Sequence, residues 1–119
     1  MIILDTSVWI GHLRKREEEE VEFLLKRQQV LVHPFIVGEI ALGSMPHYDL
    51  VLRSLSELPQ ATVASNAEIL FLIGQHSLMG SGIGYVDVHL LASAKLTEGT
   101  RLLTRDRRLA KIAEALGVG

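Results

Sequence analysis

The sequence predicts an α/β fold with a small, mostly parallel sheet of about four strands. Three observations predict it. Short strand-like segments at 2–4, 30–32, 61–64 and 101–104 alternate with segments of helical periodicity. The run Ile2, Ile3, Leu4 is continuously apolar, which suits a strand buried on both faces. The chain has 119 residues, 48% hydrophobic and 22% charged, an ordinary globular composition large enough for one domain spanning 1–119.

The elements follow in order. After the first strand comes Asp5, and the hydroxyls of Thr6 and Ser7 are suited to cap a helix beginning near Val8, with Val8, Trp9 and Leu13 on one face. Arg14, Lys15 and Arg16 then meet Glu17 to Glu20. Cations favour a helix C-terminus and anions an N-terminus, so this switch marks one helix stopping and another starting, over 21–27. Beyond the second strand, Pro34 suits the first turn of a third helix, whose apolar surface is Phe35, Ile36, Ile40 and Leu42 with Glu39 among them. A fourth helix is expected over 47–58, ended by Pro59, and a third strand over 61–64. Ser65 and Asn66 can cap a fifth helix running to Met79. Residues 80–84 (GSGIG) read as a flexible turn; no Gly-Lys-Ser/Thr follows, so it is not a phosphate loop. The helix over 86–96 is apolar nearly all round, the mark of a buried central helix. A fourth strand at 101–104 leads to Asp106, which opens a last helix that Gly117 stops.

Composition narrows the function. With no cysteine there is no disulfide framework, thiol catalysis or Cys-ligated zinc, which fits a reducing compartment. No basic region followed by a long apolar run opens the chain, so no signal peptide is expected. No apolar segment approaches about 18 residues, so no membrane span is expected, and the expected location is cytoplasmic. A net charge of −2 argues against a nonspecific nucleic-acid coat but leaves room for local basic groups.

Four carboxylates stand out by position: Asp5, Glu39, Asp87 and Asp106. Singly, each aspartate reads as a helix cap and Glu39 as a surface residue. Together they stand at strand ends or among apolar neighbours, where an acidic group needs a partner. Converging carboxylates repel by roughly 1–4 kcal/mol per pair, so either their pKa values rise or a cation sits among them. Hard oxygen ligands select Mg²⁺ or Mn²⁺. The five histidines, His12, His33, His47, His76 and His89, have no metal-binding spacing and read as surface or satisfied side chains. Trp9, Tyr48 and Tyr85 are dispersed and form no stacking platform in the sequence. Arg101, Arg105, Arg107, Arg108 and Lys111 cluster around Asp106, with Arg14 to Arg16 at the end of the first helix; they read either as a solvated surface or as phosphate contacts.

The segments LDTSVWI, PFIVGEIALGS, GIGYVDVHLLASA and LLTRDRRL, in that order, resemble PIN-domain ribonucleases and more narrowly the VapC toxins of toxin–antitoxin pairs. The resemblance covers nearly the whole chain. It implies an α/β/α sandwich and an endoribonuclease dependent on Mg²⁺ or Mn²⁺. It implies a homodimer and a small antitoxin that blocks the site. Asp5, Glu39, Asp87 and Asp106 fall on the family's acidic positions as catalytic and metal-binding residues, and Thr6 and Thr104 where hydroxyls support them. Arg14, Arg105, Arg107 and Arg108 are the candidate RNA contacts. Any closing edge strand found in relatives is expected to be shortened or missing here. Other readings stay open: a housekeeping RNA-processing nuclease, a silent PIN-like binding module, or a phospho-acceptor or phosphatase-like domain. The phosphatase pattern wants a second Asp where Ser7 stands, and the receiver pattern wants an adjacent acidic pair and a late Lys, both absent.

Overall fold

The computed structural model describes residues 1–15 and 19–119. The expected charge switch therefore falls partly outside them, at Arg16, Glu17 and Glu18, as does the side chain of Lys15. The described elements are β1 (Ile2–Leu4), α1 (Thr6–Lys15), α2 (Glu19–Lys26), β2 (Val30–Leu31), α3 (Pro34–Ala41), α4 (Tyr48–Glu57), α5 (Asn66–Gln75), α6 (Tyr85–Leu96), β3 (Arg101–Leu103) and α7 (Arg107–Ala115).

The sheet has the order β2-β1-β3, all parallel, with Ile2 opposite Val30 and Arg101. Adjacent residues on a strand face opposite ways, and Ile3 and Leu4 are both buried, so β1 is covered on both sides. That is the three-layer arrangement expected. The chain leaves β1 first toward β2 and later returns to pair β3 on the other edge. The carboxyl ends of β1 and β3 thus flank a switch point, where open parallel sheets place their sites.

Among the described residues the sheet has three strands rather than about four. Residues 61–64 form no strand; Val32 and Gln60 make only an isolated bridge. The Thr62 carbonyl, which a ladder would use, instead accepts from Ser93 Oγ at 2.6 Å. After α7 the chain folds back along β3, where Leu102 N donates to Val118 O at 2.6 Å and Arg101 Nε to Gly119 O at 3.0 Å.

Two helix ends also differ from expectation. α1 begins at Thr6, because Asp5 and not Thr6 or Ser7 is the cap: its Oδ1 accepts from Val8 N at 3.2 Å. α5 stops at Gln75 instead of Met79. Ser77 takes a left-handed φ of 51°, and Leu78 N bonds Ile73 O at 3.0 Å, closing the helix end on itself. Its start is as expected, with Ser65 and Glu68 forming a reciprocal capping box. α6 is the buried central helix, every residue from Val88 to Ala94 being buried. Complete burial of Leu90 and Leu91 contributes about 1.5–3 kcal/mol each.

For two histidines the first half of the surface-or-satisfied expectation does not hold. His33 and His89 are buried. His33 caps α3, its Nδ1 accepting from Phe35 N at 3.0 Å, which sets the proton on Nε2. Burial first, and His89 second, lower the His33 pKa to about 4. His89 packs edge-on to both Phe35 and Tyr85, at 4.6 and 4.7 Å between ring centroids. Tyr85 is therefore less isolated than its sequence position suggests, whereas Trp9 is core, as expected.

Candidate active site

Each of the four carboxylates is delivered by a different connection. Asp5 follows β1 and prolongs its ladder, with its N–H donating to Leu103 O at 3.1 Å. Asp106 lies just beyond β3 and caps α7, its Oδ1 accepting from Arg108 N at 2.8 Å and Leu109 N at 3.1 Å. Asp87 stands in the first turn of α6 and accepts from Gly84 N at 2.9 Å. Glu39 lies on α3. The cap readings are thus correct for Asp5 and Asp106, and they do not compete with a site. A cap uses one carboxylate oxygen and leaves the group where the helix N-termini face the end of the sheet.

All four line one open cleft of about 380 Å³, with Thr6, Ser7 and Arg105 on its wall and Ile36 and Leu90 beneath. Hollows of comparable size lie elsewhere, but among the described residues none gathers four carboxylates as this one does. The electrostatics agree with the geometry. Burial lifts the Asp87 carboxyl above the usual range, the Gly84 N–H pulls it down, and the charges of Asp5, Asp106 and Glu39 each raise it. A group shifted by three separate acids shares their neighbourhood.

Hydroxyls hold the set in place. Thr104 Oγ1 donates to Asp5 Oδ2 and accepts from Asp106 N at 3.0 Å, so one side chain links both strand-end aspartates. Thr6 Oγ1 donates to Glu39 Oε1 at 2.5 Å. Ser7, which the sequence offered only as a cap, donates to Asp5 Oδ1 at 2.6 Å. Its signal was available: it lies two residues after an aspartate at a helix start, within reach of that side chain. Asp5 is nearly inaccessible, and these bonds supply donor partners to both of its oxygens.

The donors fit a hard divalent cation by chemistry, being carboxylate oxygens that feel one another's charge. As they stand, no three His, Cys, Asp or Glu side chains among the described residues are gathered tightly enough to clasp an ion. Hydroxyl and helix N–H partners hold them at their present spacing.

The basic residues divide. Arg105 is on the cleft wall. Arg14 shares a small adjoining hollow with Glu39. Arg107 is exposed at the start of α7. The Arg108 guanidinium packs against Gly82. Arg101 does not join them: it opens β3, at the end of the strand away from Asp106, and bonds the chain terminus.

The family model for the PIN domain matches residues 2–115 of this chain. The sequence is 45% identical over 118 residues to Ribonuclease VapC32 of Mycobacterium tuberculosis, in two strains, covering 99% of this chain and 94% of that protein.

Proposed function

The chain belongs to the PIN-domain family, in its VapC-type ribonuclease branch, and from that membership we propose that it is a Mg²⁺- or Mn²⁺-dependent endoribonuclease acting as the toxin of a toxin–antitoxin pair. The observation that carries this reading is the meeting of Asp5, Glu39, Asp87 and Asp106 in one cleft from four separate segments. Asp5, Asp87 and Asp106 would hold the cation, directly or through water. A bound divalent cation supplies an acidified water and neutralises charge building on the phosphodiester. Glu39, exposed and steadied by Thr6, is placed to ligate or to orient the attacking water. Attack by water leaves a 5′-phosphate and a 3′-hydroxyl and makes no use of the RNA 2′-hydroxyl. Arg105, Arg107, Arg108 and Arg14 were the candidate phosphate contacts; the positions of Arg105 and Arg14 beside the acidic groups favour those two most directly.

The partners follow the same reading: RNA as substrate, a small basic antitoxin that occupies the acidic cleft, a second copy of the chain in a homodimer, and a cytoplasmic setting. No described helix is long and apolar enough to cross a membrane.

Asp5→Asn tests the centre. It removes a charge while its side-chain oxygen still caps α1. The expected result is loss of metal-dependent RNA cleavage, with a metal-free melt close to wild type and a weaker response to Mn²⁺. A fully active Asp5→Asn protein would leave Asp5 a helix cap and remove the reading.

A further inference from the structure

The loop before α6 and the start of α7 meet through a contact that cleavage chemistry does not itself require. Gly82 holds a φ of +88°, and a Cβ built there would stand 3.2 Å from Cζ of Arg108 and closer still to Nη1. The guanidinium occupies the space a side chain would need. Glycine alone meets both demands, the left-handed backbone and the close approach.

Each partner adjoins an acidic group. Two residues beyond Gly82, the Gly84 N–H holds Asp87 Oδ2 at 2.9 Å. On the other side, the backbone N–H of Arg108 holds Asp106 Oδ1 at 2.8 Å. The contact thus closes a chain of short links running Asp87, Gly84, Gly82, Arg108, Asp106. The two aspartates at its ends line the same cleft. Arg108 also stands in the first turn of α7, where a cation opposes the helix dipole. Helix stability therefore does not favour a cation at this position, whereas its guanidinium does lie against the loop.

We propose that Arg108 is a positioning residue: seated on Gly82, it fixes the separation of Asp87 and Asp106 and so the fit of the acidic set to a divalent cation. This rests on the metal-dependent reading above. RNA phosphate contact by the same guanidinium is the competing role, and the two act on different measurements.

The experiment compares wild type with Arg108→Ala, Arg108→Lys, Gly82→Ala and the Gly82→Ala/Arg108→Ala double variant. Mn²⁺ affinity is measured by calorimetry without RNA. Steady-state cleavage gives kcat and KM, and metal-free RNA binding is followed across a salt series. Arg108→Ala is expected to weaken Mn²⁺ binding by about tenfold and lower kcat, with KM and the salt slope unchanged. Arg108→Lys keeps the charge but not the planar group and should not restore affinity. Gly82→Ala evicts the guanidinium, so adding Arg108→Ala to it should cost little more, a non-additive pair. Wild-type Mn²⁺ affinity in Arg108→Ala overturns the proposal, whether it comes with no other change or with a raised KM and a flattened salt slope. Fully additive losses in the double variant overturn it too. Wild type that binds no Mn²⁺ sinks the metal reading as well, which separates the two failures.

Discussion

The Thr6 hydroxyl donates to Oε1 of Glu39 across 2.5 Å, joining two residues 33 positions apart in the chain. It ties the first turn of α1 to α3 and restrains an exposed, rotamer-rich side chain. Thr6→Val keeps the shape and loses the donor. Cleavage should fall by about tenfold, in line with loss of an orienting partner. Thr6→Ser should recover most of it, and neither change should move the melt by more than about 1 kcal/mol. Equal losses in both variants would show that the hydroxyl is not what matters.

Phosphate contact is read by salt. If Arg105 and Arg107 each neutralise one phosphate, Arg105→Ala and Arg107→Ala should each reduce the slope of log affinity against log salt by about 0.7 for single-stranded RNA. Binding by the inactive Asp5→Asn protein isolates this from cleavage. Unchanged slopes in both would assign these arginines to surface balance.

Burial makes stability depend on pH through His33. The buried side chain resists the imidazolium, so its pKa drops from 6.5 to about 4. The unfolded chain therefore takes up the proton first. Stability is complete above about pH 6.5 and is lost as pH falls from there toward 4, by about 3 kcal/mol over the whole interval. His33→Asn retains an acceptor for Phe35 N and cannot titrate. Urea titrations between pH 7 and 4.5 should show a flatter dependence in the variant. Some slope should remain, because burial lowers the pKa of His89 as well. Identical curves would locate the acid sensitivity elsewhere.

Leu42, Phe71, Met79 and Leu70 are large apolar side chains left well exposed. Together with a mean hydropathy of +0.27, they favour association. Sedimentation at micromolar concentration should give a dimer. Co-expression with the reading frame beside its own should yield a small protein that co-purifies and suppresses cleavage. A monomer counts against the dimer alone. A harmless chain that captures no partner counts against the toxin role and leaves the nuclease intact.

The sequence by itself determined the order of most helices, the central strand, the buried helix α6 and the identity of the four carboxylates. Those features are local or patterned: an apolar run, a cap at a helix start, a helix apolar nearly all round. Four acidic positions in a fixed order also carried the family resemblance. What the sequence left undecided depended on contacts distant along the chain. Residues 61–64 had the makings of a strand, but Ser93 took the Thr62 carbonyl and left no ladder. His33 and His89 read as ordinary polar residues until packing enclosed them. Whether Asp5 was only a cap or also a wall of the cleft had no local answer, since its two oxygens have different partners. Oδ1 caps α1, and Oδ2 meets Thr104, a residue 99 positions away. The same holds for Arg108, one basic residue in a basic run until Gly82 proved to lie against it. Periodicity and capping act over a few residues and can be read from order alone. A cleft is made by the crossing of segments, and only the folded chain sets which carboxylates stand within reach of one another's charge.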